Sequence, residues 1–319
     1  MGAAPQGGVT GTPQGGAAGP PQGRASAPRR STTLEIGTLY AASIGYGIGL
    51  GVWIDAEAGI ADPGVRFIPP SVLGLAAPVG VYFLDQPSMP RGLPAATAAG
   101  MAIGAGEGLG IASYQYVTAK ASDAWGFRGL SRSVVIGSTA GAVGGYAIGY
   151  YEEPSPKLSA FVSSGVLWGT VVGSMFGYGA SAAGVGYGRS NDSASLGGLI
   201  GFNVGLAATA GLSTLFVPSW HELGWMWIGG GIGAAVSLPV FLFYAGDNTP
   251  PAKRGLVFMG TATTLGILAG GIFSAGTPDA DSRSVLDLPR LGGRFASVTS
   301  VVPIALPEGA GIAVGGVLE

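Results

Sequence analysis

The sequence predicts an all-α integral membrane protein, a bundle of about seven or eight transmembrane helices packed through faces of glycine and other small residues. Three observations predict it. Only 10% of the residues are charged and 47% are hydrophobic, whereas a water-facing domain carries about 25% charged residues. The apolar residues fall into eight blocks, near 37–54, 67–84, 94–117, 133–151, 158–179, 195–217, 223–244 and 255–274. Each approaches the roughly 20 residues with which a helix of about 1.5 Å rise per residue crosses about 30 Å of hydrocarbon. Glycine supplies 61 of the 319 residues and recurs inside the blocks at a spacing of four.

Residues 1–33 stand apart: "MGAAPQGGVTGTPQGGAAGPPQGRASAPRRSTT" is built from Pro, Gly, Gln and Ala and has almost nothing to bury. That composition reads as a disordered tail. It carries no apolar h-region of a signal peptide and no myristoylation pattern.

The first block contains "IGYGIGLGVW" from Ile44 to Trp53, whose alternation of large residues and glycines has the period of a β-strand. The later blocks decide against it. Block five places Gly165, Gly169, Gly173 and Gly177 at intervals of four, with Leu167, Val171 and Met175 between them. On a strand these large residues would share a face with the glycines; on a helix the two sets separate. A membrane barrel also wants a polar residue at every second position, which the blocks lack. Helix is the expectation throughout.

The same ladder runs through the other blocks. Block one reads Gly37, Ala41, Gly45, Gly49, with Gly47 and Gly51 widening the smooth face. Block two, with Pro69, Pro70 and Pro78, is the weakest span. Block three has Gly100, Gly104, Gly108 and Ala112; block four has Gly137, Gly141, Gly145 and Gly149. Block six has Gly197, Gly201, Gly205, Thr209 and Ser213; block seven has Gly229, Gly233 and Ser237; block eight has Ala262, Gly266, Gly270 and Ser274. Lipid tails are as apolar as Leu, so small residues that let two backbones approach are what hold such helices together. "RGLPAATAAGMAIGAGEGLGIA" from Arg91 also repeats as "RGLSRSVVIGSTAGAVGGYAIG" from Arg128, an internal duplication of a kind common in transporters. With a cytoplasmic N-terminus, Lys and Arg divide eight inside to seven outside when the tails are counted and two to seven without them, so the positive-inside rule gives no clean orientation. Residues 34–275 thus form the bundle. Residues 276–319 form a C-terminal tail whose two β-prone runs around "PIALPEG" fit a small hairpin.

Composition also removes functions. The chain has no Cys and a single His, and its net charge is −2. Thiolate and His-based metal sites, disulfides and a Ser-His-Asp triad are therefore poorly supplied, and the positive surface that nucleic acid requires is missing. No catalytic residue, metal or cofactor is expected, and the expected partner is the bilayer, with self-association or other membrane proteins beside it. His221 and Glu222 read as an interfacial loop pair. Two polar residues lie inside blocks. Glu107, in "AIGAGEGLGI", shares a helix side with Gly100, Gly104 and Gly108; Asn203 sits in "GLIGFNVGLA". Intramembrane carboxylates are costly and mark functional sites, so Glu107 and Asn203 are the candidates for proton or ion coupling.

Over residues 37–275 the ladders resemble glycine-zipper-rich, multi-span envelope proteins of uncharacterised function found in bacterial genomes. That resemblance implies a place in the bacterial cell envelope, without choosing inner or outer membrane, and carries no activity or site residue. The functional expectation is a non-enzymatic envelope scaffold or assembly subunit. The alternatives are a channel or secondary transporter using Glu107 and Asn203, and an outer-membrane β-barrel.

Overall fold

The computed structural model describes residues 31–120, 122–181, 187–244, 253–277, 297–306 and 309–317. Most of the expected N-terminal tail, residues 1–30, lies outside them. Eight long helices follow: α1 (Thr33–Ala58), α3 (Ile68–Leu84), α4 (Leu93–Thr118), α5 (Gly126–Glu152), α6 (Pro156–Ala180), α7 (Tyr187–Ser213), α8 (Trp220–Tyr244) and α9 (Lys253–Ser274). A single turn, α2 (Pro63–Arg66), joins α1 to α3. The boundaries have local causes. Thr32 caps α1 by accepting from the Glu35 amide, and Gly59, at φ 65°, ends it in the left-handed region that suits glycine. Ser155 caps α6 ahead of Pro156, a proline in the first turn where no hydrogen bond is lost. Near the C-terminus, β1 (Ser297–Leu306) and β2 (Gly309–Val317) pair antiparallel, with Val302 opposite Ala313.

All eight apolar blocks are helices, and the β-barrel alternative is overturned: the only described strands, β1 and β2, pair with each other. A membrane barrel needs at least about eight strands closed on themselves. Among the described residues six helical segments are long and apolar enough to cross a membrane: Thr33–Ala58, Pro63–Leu84, Pro156–Ala180, Asn191–Ser213, Trp220–Tyr244 and Lys253–Ser274. The eight helices match the expected bundle, six of them meeting this measure; the choice of the weakest block is corrected. The proline-rich second block qualifies, because Pro69 and Pro70 fall in the first turn of α3. α4 and α5 fall short although they have 26 and 27 residues. Their Gly and Ala add little apolar character, and α5 carries Arg128 and Arg132 near its start.

The long helices pair as antiparallel hairpins, α1 with α3, α4 with α5, α6 with α7 and α8 with α9. The hairpins then meet through α1 against α4 and α5, α4 against α6 and α7, and α6 against α9. Large apolar side chains point outward: Leu75, Val236, Ile272 and Phe273 are 76%, 71%, 72% and 90% exposed. Glycines and serines lie within. In water such a surface would drive association; in lipid it is the solvated face. One compact apolar cluster, Leu39, Val81, Met89, Leu93 and Ala98, gathers where α1, the end of α3 and the start of α4 meet.

Within each hairpin the glycines face one another. A Cβ on Gly100 would strike the Gly141 carbonyl oxygen, one on Gly104 that of Gly137, and one on Gly108 that of Ser133. Gly145 stands in the same relation to Ala96, and Gly149 lies against Leu93. The α6/α7 hairpin repeats the scheme, with Gly169 on Gly201, Gly173 on Gly197, Gly177 on Ser193, and Gly165 between Gly205 and the Thr209 side chain. The α8/α9 hairpin sets Gly229 on Gly266, Gly233 on Ala262 and Gly270 on the Trp225 carbonyl. Each step of four up one helix is matched by four down its partner, as two straight antiparallel helices require. Backbones this close also bring Cα–H groups onto carbonyls, a weak attraction that recurs at helix interfaces. The first hairpin departs from the expected ladder: Gly47 and Gly51 meet Leu73 and Pro70 of α3, while at Gly37, Gly45 and Gly49 a Cβ would meet nothing within 4 Å. The strand-like alternation of "IGYGIGLG" offers two glycine faces, and α1 uses the one that the spacing from Gly37 does not mark.

Candidate functional site

Glu107 and Asn203, 96 residues apart in the chain, are brought together where α4 meets α7. The Asn203 amide nitrogen lies 3.2 Å from each Glu107 carboxylate oxygen and 3.0 Å from the Leu199 carbonyl oxygen. The Leu199 bond orients the amide, since only its NH₂ side can donate to a carbonyl. One proton then serves the helix and the other serves the carboxylate. Glu107 is half-buried and Asn203 exposed, so the carboxylate keeps lone pairs open on one side. A charged carboxylate at this depth is costly, and one amide donor offsets only part of that cost.

Close packing beside the pair is set by two further glycines. Gly106 makes room for the Phe202 ring, whose Cε2 would lie 2.8 Å from a Cβ there, and Gly110 does the same for Leu199. Between α4, α6 and α7 is a cavity of about 510 Å³ lined by Gly106, Phe202, Ser113, Ser163, Ser174 and Ser195, among others. Its size is that of a small-molecule site, and its walls are apolar with hydroxyls spaced along them. Glu107 and Asn203 each follow a wall residue in sequence, so the pair stands at the margin of the cavity. A proton or a cation arriving there would meet one carboxylate, one amide and several hydroxyls.

No family model, curated protein or solved structure matches the chain.

His221 and Glu222 lie in the first turn of α8, and that corrects their reading as a loop pair. The Ser219 hydroxyl accepts from the Glu222 amide at 3.1 Å, and the Glu222 carboxylate accepts from the Ser219 amide at 2.7 Å. The other carboxylate oxygen accepts from Gly276 at 2.8 Å, tying the start of α8 to the end of α9. His221 accepts from the Trp225 indole at 2.9 Å and approaches no second ligand. Among the described residues no group of three or more His, Cys, Asp or Glu could hold a metal.

The same device appears at Glu35, which the sequence reading passed over. Glu35 is 2% exposed. Its carboxylate accepts from the Gly92 amide at 2.7 Å and from the Thr32 hydroxyl at 3.2 Å, with Arg91 at 3.8 Å. Gly92 stands at φ 87°, just before α4, so one glutamate in the first turn of α1 joins two helix starts. Threonine three residues ahead of glutamate is a legible signal for it. Elsewhere Tyr46 and Thr139 join α1 to α5 through their hydroxyls at 2.9 Å, and the Trp227 indole donates to Ser164 at 2.9 Å.

Proposed function

We propose that the chain is a non-enzymatic scaffold or assembly subunit of the bacterial envelope, held in the bilayer by its apolar helices. The observation that carries this reading is the division of labour among the glycines of α1. Gly47 and Gly51 pack against α3, whereas Gly37, Gly45 and Gly49 present a second smooth face that, among the described residues, no helix covers. A further helix can approach such a face in the way the hairpin partners approach each other, and association of this kind needs no polar chemistry. The test is the oligomeric state of the full chain in native-lipid particles, by single-molecule photobleaching, with Gly45→Ile as the variant. The expected result is an oligomer that the variant disperses while its unfolding midpoint stays put. A monomer throughout would sink the reading.

A second reading, a channel or secondary transporter, is favoured by the Glu107–Asn203 contact beside the cavity. Single Cys residues at Glu107, Asn203 and Ser113, with exposed controls at Ser88 and Ser122, separate the two readings. Labelling of the three internal positions by a small water-soluble thiol reagent supports transport. Labelling confined to the controls removes it.

A further inference from the structure

The turn between α1 and α3 contains a recess of about 490 Å³, lined by Val52, Asp55, Arg66, Pro70, Phe127 and Arg128 among others. Asp55 is its anomaly. It is 8% exposed, and its Oδ1 is buried without a hydrogen-bond partner. It sits in the last turn of α1, where no basic residue accompanies it and where the helix dipole disfavours negative charge. A buried carboxylate oxygen without a donor is a substantial cost, and a chain that keeps one has a reason outside its own hydrogen bonds.

The rest of the recess carries the opposite sign. Arg66 spends its Nε on the Ile60 carbonyl, and Arg128 spends its Nε on the Ala56 carbonyl at 3.0 Å. Both side chains are thereby steered over the end of α1. Among the described residues neither guanidinium has a hydrogen-bond partner for its terminal amines. Glu57 does not neutralise the recess: Arg132 holds it at 2.6 Å, with Arg128 3.9 Å from its other oxygen. Asp62 is likewise occupied, accepting from the Gly64 and Val65 amides at 2.9 and 3.0 Å. What remains is two guanidiniums with free donors and one carboxylate with a free acceptor, facing one space.

We infer that this recess binds a group carrying a phosphate and, a few bonds away, an ammonium: the phosphate on Arg66 and Arg128, the ammonium on Asp55. Guanidiniums suit phosphate oxygens geometrically, and the ammonium supplies the donor that Asp55 lacks. The source is a membrane lipid with a phosphoethanolamine headgroup. The recess lies at the turn between two apolar spans, Thr33–Ala58 and Pro63–Leu84, at the depth where headgroups sit. Its wall is partly apolar, through Val52, Pro70 and Phe127, and Phe127 is 62% exposed, as acyl chains require. Trp53, two residues before Asp55, and Trp125, three before Arg128, lie close to the recess residues in sequence, and such aromatics favour the membrane interface. This inference rests on the chain spanning a bilayer and on neither reading of its function.

The test is native mass spectrometry of the full chain in detergent, with phosphatidylethanolamine, phosphatidylglycerol or phosphatidic acid added in turn. Glycerophosphoethanolamine and inorganic phosphate serve as soluble competitors. The expected result is preferential retention of phosphatidylethanolamine. Arg128→Gln should weaken all three lipids about tenfold, the loss expected of one charge-assisted hydrogen bond. Asp55→Asn should erase the preference for phosphatidylethanolamine and leave phosphatidic acid bound as before. Equal retention of the three lipids, unchanged by Asp55→Asn, would overturn the inference. Displacement of the lipid by either soluble competitor at equal concentration would overturn the lipid source.

Discussion

Replacing Gly141 by alanine tests whether the helices are held backbone to backbone. A Cβ on Gly141 would strike the Gly100 carbonyl oxygen and come within 3.0 Å of the Gly104 Cα. Neither obstacle is a rotatable side chain, so α4 and α5 must part. Parting there also loosens the steps at Gly104 with Gly137 and Gly108 with Ser133. Overpacking a well-fitted contact costs about 1–3 kcal/mol, while glycine to alanine in a helix returns up to about 1 kcal/mol. The net for Gly141→Ala is a loss of up to about 2 kcal/mol. Gly144, three residues along the same helix, meets nothing within 4 Å, so Gly144→Ala keeps only the gain of about 1 kcal/mol. Helix propensity is common to both, and the difference of up to about 3 kcal/mol isolates the contact. Reversible unfolding of the full chain in mixed micelles, followed by far-UV circular dichroism, measures it. Equal shifts for the two variants would refute the close approach. Gly47→Ala against Gly45→Ala repeats the comparison on α1 with positions only two apart, and the loss belongs to Gly47.

Three further outcomes follow from the polar contacts. Glu35→Ala strands the Gly92 amide and should cost about 1–3 kcal/mol, whereas Arg91→Ala, 3.8 Å away and half exposed, should cost under about 1 kcal/mol; the same unfolding measurement ranks them. Ser219→Ala removes a helix cap and should cost about 1 kcal/mol. Glu222→Ala should cost more and should raise amide exchange at Gly276, because that carboxylate serves two backbone donors. A double-mutant cycle with Glu107→Leu and Asn203→Leu should return a coupling near the roughly 0.6 kcal/mol of other membrane hydrogen bonds; a coupling of zero would mean the pair does not meet.

The helical class was legible because it rests on residue order alone: Leu167, Val171 and Met175 cannot share a strand face with Gly165 and Gly169 without mixing sizes, and α6 duly forms. The two interior polar residues were legible as anomalies, but nothing in the sequence says that Glu107 and Asn203 touch. That depends on α4 lying against α7, a pairing between hairpins that no spacing encodes. The face of α1 was misread for a related reason. Gly45 with Gly49 and Gly47 with Gly51 are equally good pairs by spacing, and only the position of α3 chooses between them. Glu35 and Glu222 were within reach, since each lies three residues after a capping hydroxyl, Thr32 or Ser219, although only Glu222 closes the full capping box. Their second bonds, to Gly92 and Gly276, were not, because those partners are fixed by tertiary placement.

Two kinds of contact divide the molecule. Inside a hairpin the partners are carbonyls and Cα atoms, which have no rotamers, so one helix cannot shift without lifting a whole run of steps. Between hairpins side chains supply most of the contacts: Phe202 over Gly106, Leu199 over Gly110, Trp168 beside Trp227 with ring centres 5.3 Å apart, and the Tyr46–Thr139 and Asn203–Glu107 bonds, with one backbone approach where Gly179 of α6 meets the Lys253 carbonyl of α9. Side chains can change rotamer and re-form contacts after a small displacement, so any rearrangement of the bundle takes place along these seams, with the hairpins moving as rigid units. The 510 Å³ cavity and the Glu107–Asn203 pair both lie on such a seam, between the α4/α5 and α6/α7 hairpins. Disulfide cross-links should report this directly. One placed within α4/α5, between Ala112 and Ser131, should leave any activity or assembly of the protein unaltered. One placed across α4 and α7, between Gly110 and Leu199, should arrest it. If both links were equally tolerated, the seam would be as rigid as the hairpins and the distinction would fail.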